Sequence, residues 1–442
     1  MESVVPGVSS VVPSDVSQHI DPRLTSMFVK PPALVGTESS FTQFVEPMKT
    51  ISNSDTEIIL ELPNTGSSYV DLKNTSLYVK GSLKKRDGTA LAEGDATVLT
   101  NNALYSLFEA VTVYVGHNKV ELYTGDFHYK SFIKQLMRNS TLTPVIDDQG
   151  MEIEFLSNSF ANDAEVGSGR VQRTFKSAMT EFMGPTLIDF FHTDGYLLPS
   201  TPLKVKFRRS SDLFYVVTPP AHKDVPYFFE IQKMGLFVPC INISPALTPL
   251  LEMQTTHLPA SYDFDSLKMR QLPLPKDTVV QKFKRVLEGR LPQRVLVGIY
   301  KHAAFSGQRD LSPLLTASLE VSEISLMING VVVREATPLF DENLYMETYR
   351  HFISWMTGSN KGYYISYEVF KSGYRFFCFD LLENCPPTKP CGEEMLTQGT
   401  MGLSVRFPKP LDEHYIMTFF YVAPDTVELT KERVAHYIPA ME

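Results

Sequence analysis

The chain has 442 residues, 43% of them hydrophobic and 11% aromatic, enough for two cores of about 200 residues each. A formal net charge of −9 argues against a protein that wraps nucleic acid by charge neutralisation. The sequence contains no run of 18 apolar residues, so no helical membrane span is expected.

Residues 1–50 are rich in Ser, Pro and Val and have little periodicity, which describes an extended arm. The arm carries Arg23, Lys30 and Lys49 against Glu2, Asp15, Asp21, Glu38 and Glu46, so it is not a basic genome-binding tail. From Glu57 the pattern becomes one of short alternating runs. Glu57–Leu62, Tyr69–Leu72 and Leu77–Gly81 are expected strands, followed by a polar loop over 84–93. Val111, Val113 and Val115 mark a strand with one buried face, leading to a permissive turn of about three residues at Gly116-His117-Asn118. Tyr129, Phe132, Ile133 and Leu136 then lie on one helical stripe behind an N-cap candidate, Asp126, and are expected to pack on their own sheet. Residues 141–173 are irregular and polar, a surface excursion. Strands are expected at Leu187–Phe191, Leu203–Phe207, Phe214–Val217, Phe228–Ile231 and Gly235–Ile243.

Prolines 245, 249, 259, 273 and 275 mark the expected junction, and Arg294–Tyr300 reopens the strand pattern. The second half then repeats the first. Ile324, Leu326 and Ile328 stand 213 residues beyond Val111, Val113 and Val115, and enter the type I′ turn signal Asn329-Gly330. Tyr349, Phe352, Ile353 and Met356 repeat the helical stripe at an offset of 220, behind Asp341 or Asn343 as caps. Leu403–Phe407 repeats Leu203–Phe207 at 200, and Gly298 repeats Gly81 at 217. Tyr374–Leu382 and Ile416–Val422 are the remaining strands. Short strands between turns, few helices and a tandem duplication define an all-β chain of two jelly-roll β-sandwiches, a double jelly roll with short helices and long surface loops. The expected division is an arm at 1–50, a first roll at 51–245, a second at 246–430 and a tail at 431–442.

Catalytic and metal motifs give little. No His-x-His is present. His192-Thr193-Asp194 matches the short part of an iron-oxygenase motif, yet it aligns at an offset of 186 with Phe376–Asp380, where Cys378 replaces the histidine. The expected role is core strand. Cys240, Cys378, Cys385 and Cys391 lack C-x-x-C spacing and are expected to be free thiols of a reducing compartment. Sequons at Asn74, Asn139 and Asn242 follow no signal peptide, so glycosylation is not expected. Asp263-Phe264-Asp265 is expected to be a solvated loop and Arg208-Arg209 a solvated strand end. Nucleophile-elbow, aspartic-protease and phosphate-loop motifs do not occur. The expectation is a non-enzyme without catalytic, cofactor or metal residues.

The run Leu62–Leu72 with Thr75–Lys80, then Leu104–Phe108, Leu291–Gly298, Ala304–Gly307 and Gly373–Leu381, resembles the major capsid protein of Maverick/Polinton elements and adintoviruses, in order over about residues 55–435. The arm and the Cys385–Cys391 loop depart from that pattern. The resemblance implies a double jelly roll of the adenovirus-hexon-like lineage and a homotrimer whose six rolls form a pseudo-hexagonal capsomer. Capsomers would tile an icosahedral virion capsid around double-stranded DNA, contacting neighbouring capsomers and a single-jelly-roll penton protein. Assembly would occur inside the host cell, in cytoplasm or nucleus. The arm would order on a neighbour, so removing residues 1–45 is expected to leave trimers intact and impair shells. A domesticated trimeric protein without a shell, and a jelly-roll ligand-binding protein or metal enzyme, are the alternative readings.

Overall fold

The computed structural model describes residues 36–439 apart from 93–94, 96, 124, 138–145, 148–174, 293, 337–344, 357–366 and 382–397. Among the described residues the first unit has eight strands of six or more residues: β1 Thr37–Val45, β2 Glu57–Leu62, β3 Ser76–Lys85, β4 Phe108–Val115, β5 Asn118–Tyr123, β6 Thr180–Pro185, β7 Leu203–Arg209 and β8 Tyr227–Ile243, with two-residue strands at Tyr69–Val70, Val98–Leu99, Ile146–Asp147 and Val216–Val217. The eight form two antiparallel sheets in the orders β1-β8-β3-β6 and β2-β7-β4-β5. Alternation sets the inner faces: Ile58, Leu60 and Leu62 of β2, Val111, Val113 and Val115 of β4, and Leu203, Val205 and Phe207 of β7 are all buried.

The second unit repeats this with β9 Ala260–Leu274, β10 Val280–Arg290, β11 Arg294–Lys301, β12 Glu323–Ile328, β13 Val331–Ala336, β14 Phe376–Asp380, β15 Gln398–Arg406 and β16 Tyr415–Leu429. Its sheets run β9-β16-β11-β14 and β10-β15-β12-β13, the first unit's order with every strand advanced by eight. The three longest helices among the described residues are α1 Phe127–Met137, α2 Thr248–His257 and α3 Met346–Met356. Both helices expected from the repeated stripe are therefore present.

Register refines the repeat. The β4–β5 and β12–β13 hairpins are closed alike, Val115 opposite Asn118 and Ile328 opposite Val331. The first turn is therefore two residues long, not three. Asn329 and Gly330 both have positive φ, as a type I′ turn requires, whereas Gly116 alone has positive φ in the first turn. Val115 pairs with Leu203 and Ile328 with Met401, so the strands after these hairpins correspond at an offset of 198 rather than 200. A slip of two keeps the same side chains inward, which is why the sequence tolerates it.

Other expectations need correction. Residues 187–191 are not a strand: Asp189–His192 is a 3-10 helix with Asp189, Phe190 and Phe191 buried. The strand corresponding to β14 is β6, since Gly81 pairs with Thr180 and Gly298 with Phe376. The offset is then 196, and Cys378 does not stand in the place of His192. Phe214–Val217 is a helical turn, Asp212–Tyr215, followed by a two-residue strand paired with Val98–Leu99. The proline-marked junction holds α2 and β9, the latter with Pro273 on an edge strand, where a missing N–H is tolerated. Asp263 and Asp265 lie in that strand rather than in a loop. Residues 37–45 of the expected arm are β1, laddered to β8 from Thr37 opposite Ile243 to Val45 opposite Leu236. In the expected tail, Ala435–Ile438 pairs with Thr426–Leu429. The caps Asp341 and Asn343, the excursion over 141–173 except Ile146–Asp147, and the Cys385–Cys391 loop lie outside the described residues.

Candidate functional site

A buried polar arrangement lies between the two units, and it begins with α1. The helix lies against β4 of its own unit, but its stripe is directed into the other one. Tyr129, Phe132, Ile133 and Leu136 belong to the second unit's core. Tyr129 stacks on Phe305 at 4.5 Å between ring centroids and meets Tyr300 edge-on at 5.8 Å, while Phe132 lies 6.1 Å from Tyr374. In exchange, Tyr262, Phe264, Val427, Leu429 and Ala435 enter the first core. The repeated stripe of α3 has a different partner: Tyr349 and Phe352 pack on Phe370, and Phe352 on Phe376, all within the second unit.

Because α1 is enclosed, its polar side chains are buried too: His128, Lys130, Ser131 and Gln135. Asp126, at the cap position, pairs with Lys130 at 2.9 Å, one turn into the helix. Burial pushes the Asp126 carboxyl above its ordinary range, against the pull of Lys130. Lys134 forms an ion pair with Asp189 of the 3-10 helix. Tyr123 Oη donates to Asp189 Oδ2 at 2.6 Å, and so does Leu267 N of β9 at 3.1 Å. A buried carboxylate of the first unit thereby holds a backbone N–H of the second. His128 lies 3.8 Å from the Phe214 ring centroid, and burial lowers its pKa from 6.5 to about 3.

Further bonds extend the junction. Leu198 N donates to Tyr262 Oη, which donates to Tyr196 O, both at 3.2 Å. Burial pushes that phenol up to about 12. Asn101 Nδ2 donates to Tyr374 Oη at 2.9 Å, Arg309 pairs with Asp212 at 2.6 Å, and Arg433 Nε donates to Pro199 O at 2.9 Å. The two units are joined by aromatic packing ringed with buried hydrogen bonds.

The residues weighed for chemistry are not brought together. His192 Nδ1 lies 2.7 Å from Ile188 O, and Asp194 pairs with Lys73 at 2.5 Å. Asp263 accepts from Thr426 Oγ1 at 2.6 Å. Cys240 and Cys378 are free thiols, each raised by burial. Arg208 pairs with Glu109 at 2.6 Å, whereas Arg209, half-buried, donates to Phe229 O, so only the first of that pair is a surface strand end. Among the described residues no group of three or more His, Cys, Asp or Glu could hold a metal. A void inside the first sandwich, lined by Leu60, Phe191 and Val205 among others, has about 10 Å³, the space of one water.

No family model matches the sequence, and no curated protein does. Solved structures do match. A chain of the Sputnik virophage superposes with a TM-score of 0.58 at 12% identity, covering 100% of this chain and 95% of that one. A chain of the PBCV-1 virus capsid gives 0.56 at 10%, covering 93% and 99%. The mavirus major capsid protein gives 0.53 at 10%, covering 100% and 97%. The chain is a double jelly roll. In these terms the buried site is the seam between the rolls, built from α1 and the 3-10 helix of the first and β9 and β11 of the second. Sequence reading missed the seam, because Asp126, Lys130 and Lys134, one turn apart beside an apolar stripe, carry the pattern of a solvated helix face.

Proposed function

We propose that this chain is a major capsid protein whose homotrimers form pseudo-hexagonal capsomers of an icosahedral virion, around the double-stranded DNA of a Maverick/Polinton-type element or virus. The observation that carries the reading is the pair of rolls with identical strand order, joined by a buried seam. Three such chains around a threefold axis present six like units, so closed cyclic symmetry yields a hexagonal tile. The seam serves this purpose by fixing the angle between rolls before assembly. The overall negative charge suits a shell that encloses DNA without binding it strongly. Neighbouring capsomers and a single-jelly-roll penton protein are the partners in this reading, and the virion capsid, assembled inside the host cell, is its location. The rolls then occupy about residues 51–245 and 246–430, with β1 added to the first.

Negative-stain electron microscopy of the purified full-length protein tests the reading. Hexagonal particles with threefold symmetry, or closed shells, are the expected result. A monomer carrying bound iron would overturn it, and trimers that never close into shells under any assembly condition would limit the protein to the capsomer.

A further inference from the structure

The helix that joins the two rolls is left half uncovered. α2 follows β8 and precedes β9, and none of its residues is buried. Of its large apolar side chains Leu251 packs on the first core, half-buried beside Thr248 and Thr255. Leu247, Leu250, Leu251 and Leu258 fall at i, i+3, i+4 and i+11 on one stripe, and Met253 lies one turn beyond Leu250. Yet Leu247 is 38% exposed, Leu250 57%, Met253 59% and Leu258 72%. A helix of ten residues is marginal in water by propensity alone, so this one needs its apolar side covered.

The described chain begins at that same place. Ser244 N donates to Gly36 O at 2.9 Å, and a Cβ built on Gly36 would lie 2.9 Å from Leu247 Cδ1, so the backbone enters β1 directly against α2. Residues 1–35 precede this point, whereas only 440–442 follow the other end. We propose that residues 27–35 turn back over α2 of their own chain and bury Leu247, Leu250, Met253 and Leu258. Met27-Phe28-Val29 and Ala33-Leu34-Val35 supply apolar side chains. Lys30, the one charge between Thr25 and Gly36, meets Glu252, the one carboxylate of α2. Fully extended, this segment reaches about 30 Å, twice the roughly 15 Å of a ten-residue helix. A helix bonds its own N–H and C=O groups and offers a cover no ladder; Pro31-Pro32, lacking both N–H donors, requires none. The tether decides whose arm is bound, because a segment joined to its site by a few residues competes at an effective concentration of about millimolar. The cover is complete within one chain, independent of any trimer, and withdraws an apolar face from chance association.

Hydrogen exchange over α2 in the full-length protein, with carbodiimide cross-linking of Lys30 to Glu252, tests this. Residues 250–257 are expected to exchange more than about tenfold more slowly than in a chain lacking residues 1–35, which retains β1. The double variant Phe28→Asp, Val29→Asp is expected to lose the same protection in the full-length chain with its melting profile unchanged, whereas Phe28→Leu, Val29→Ile keeps it. The cross-linked peptide is expected in bands of monomer mass on a denaturing gel, whatever the oligomeric state. Equal exchange over α2 with and without the arm would overturn the cover. Protection accompanied by a cross-link only at dimer mass would give the face to another copy and overturn the proposal, as would protection with no Lys30–Glu252 product. If the truncated chain fails to fold, the comparison of the two double variants decides, and equal protection in both overturns it.

Discussion

At the scale of single residues, the seam is sensitive to charge. His128 is held neutral, with a folded pKa of about 3 against an ordinary 6.5. Between those values the unfolded chain binds the extra proton, so this residue's contribution is complete above pH 6.5. It is lost as pH falls, by about 1.4 kcal/mol per unit. Urea unfolding of His128→Gln between pH 7 and 4 is expected to show a flatter loss than the wild type; identical slopes would remove His128 as the cause. Asp189 is the second sensitive point. Removing its carboxylate leaves the Lys134 ammonium without its charge partner and Leu267 N without its acceptor. Asp189→Ala is expected to cost about 3–5 kcal/mol in urea unfolding, and a loss below about 1 kcal/mol would mean that water replaces the pair.

At the scale of elements, equivalent positions in the two rolls differ in tolerance. Gly81 and Gly298 sit at the same place in β3 and β11. A Cβ on Gly81 would overlap the Glu230 carbonyl oxygen, whereas one on Gly298 would lie 2.9 Å from the edge of the Phe376 ring. A carbonyl within a ladder cannot move without breaking its sheet, but a ring can tilt. Gly81→Ala is therefore expected to destabilise by more than about 3 kcal/mol and Gly298→Ala by about 1–2 kcal/mol, measured by thermal unfolding; the reverse order would contradict this geometry. The same contrast separates α1 from α3. The two carry similar stripes, but α1 sends its stripe into the other roll whereas the ring contacts of α3 are with Phe370 and Phe376 of its own, so Phe132→Ala disturbs the seam and Phe352→Ala chiefly the second core.

At the scale of the whole molecule, the exchange of core residues across the seam makes each roll dependent on the other. The second core lacks Tyr129, Phe132 and Leu136 if the first roll unfolds, and the first lacks Tyr262 and Phe264 if the second does. Calorimetry is expected to show one cooperative transition for the 442-residue chain, where independent rolls would give two. Phe132→Ala should lower that single transition by about 3–5 kcal/mol without splitting it. A truncation meant to test the arm should stop at residue 35, because removing β1 strips a sheet edge along with the arm.

The sequence by itself determined many of the strands, the Asn329-Gly330 turn, both copied helices and the duplication. These depend on period-two and period-3.6 burial and on residues that accept positive φ, all local properties of the chain. It did not determine where each buried face goes. The stripe from Tyr129 to Leu136 says that four side chains leave water, but not that they enter the other roll. Asp189-Phe190-Phe191 reads equally well as a core strand or as a buried 3-10 helix, and only a β9 edge in need of an acceptor decides between them. Burial is encoded in one dimension, whereas the choice of partner depends on shape and unsatisfied hydrogen bonds that exist only once both rolls are folded.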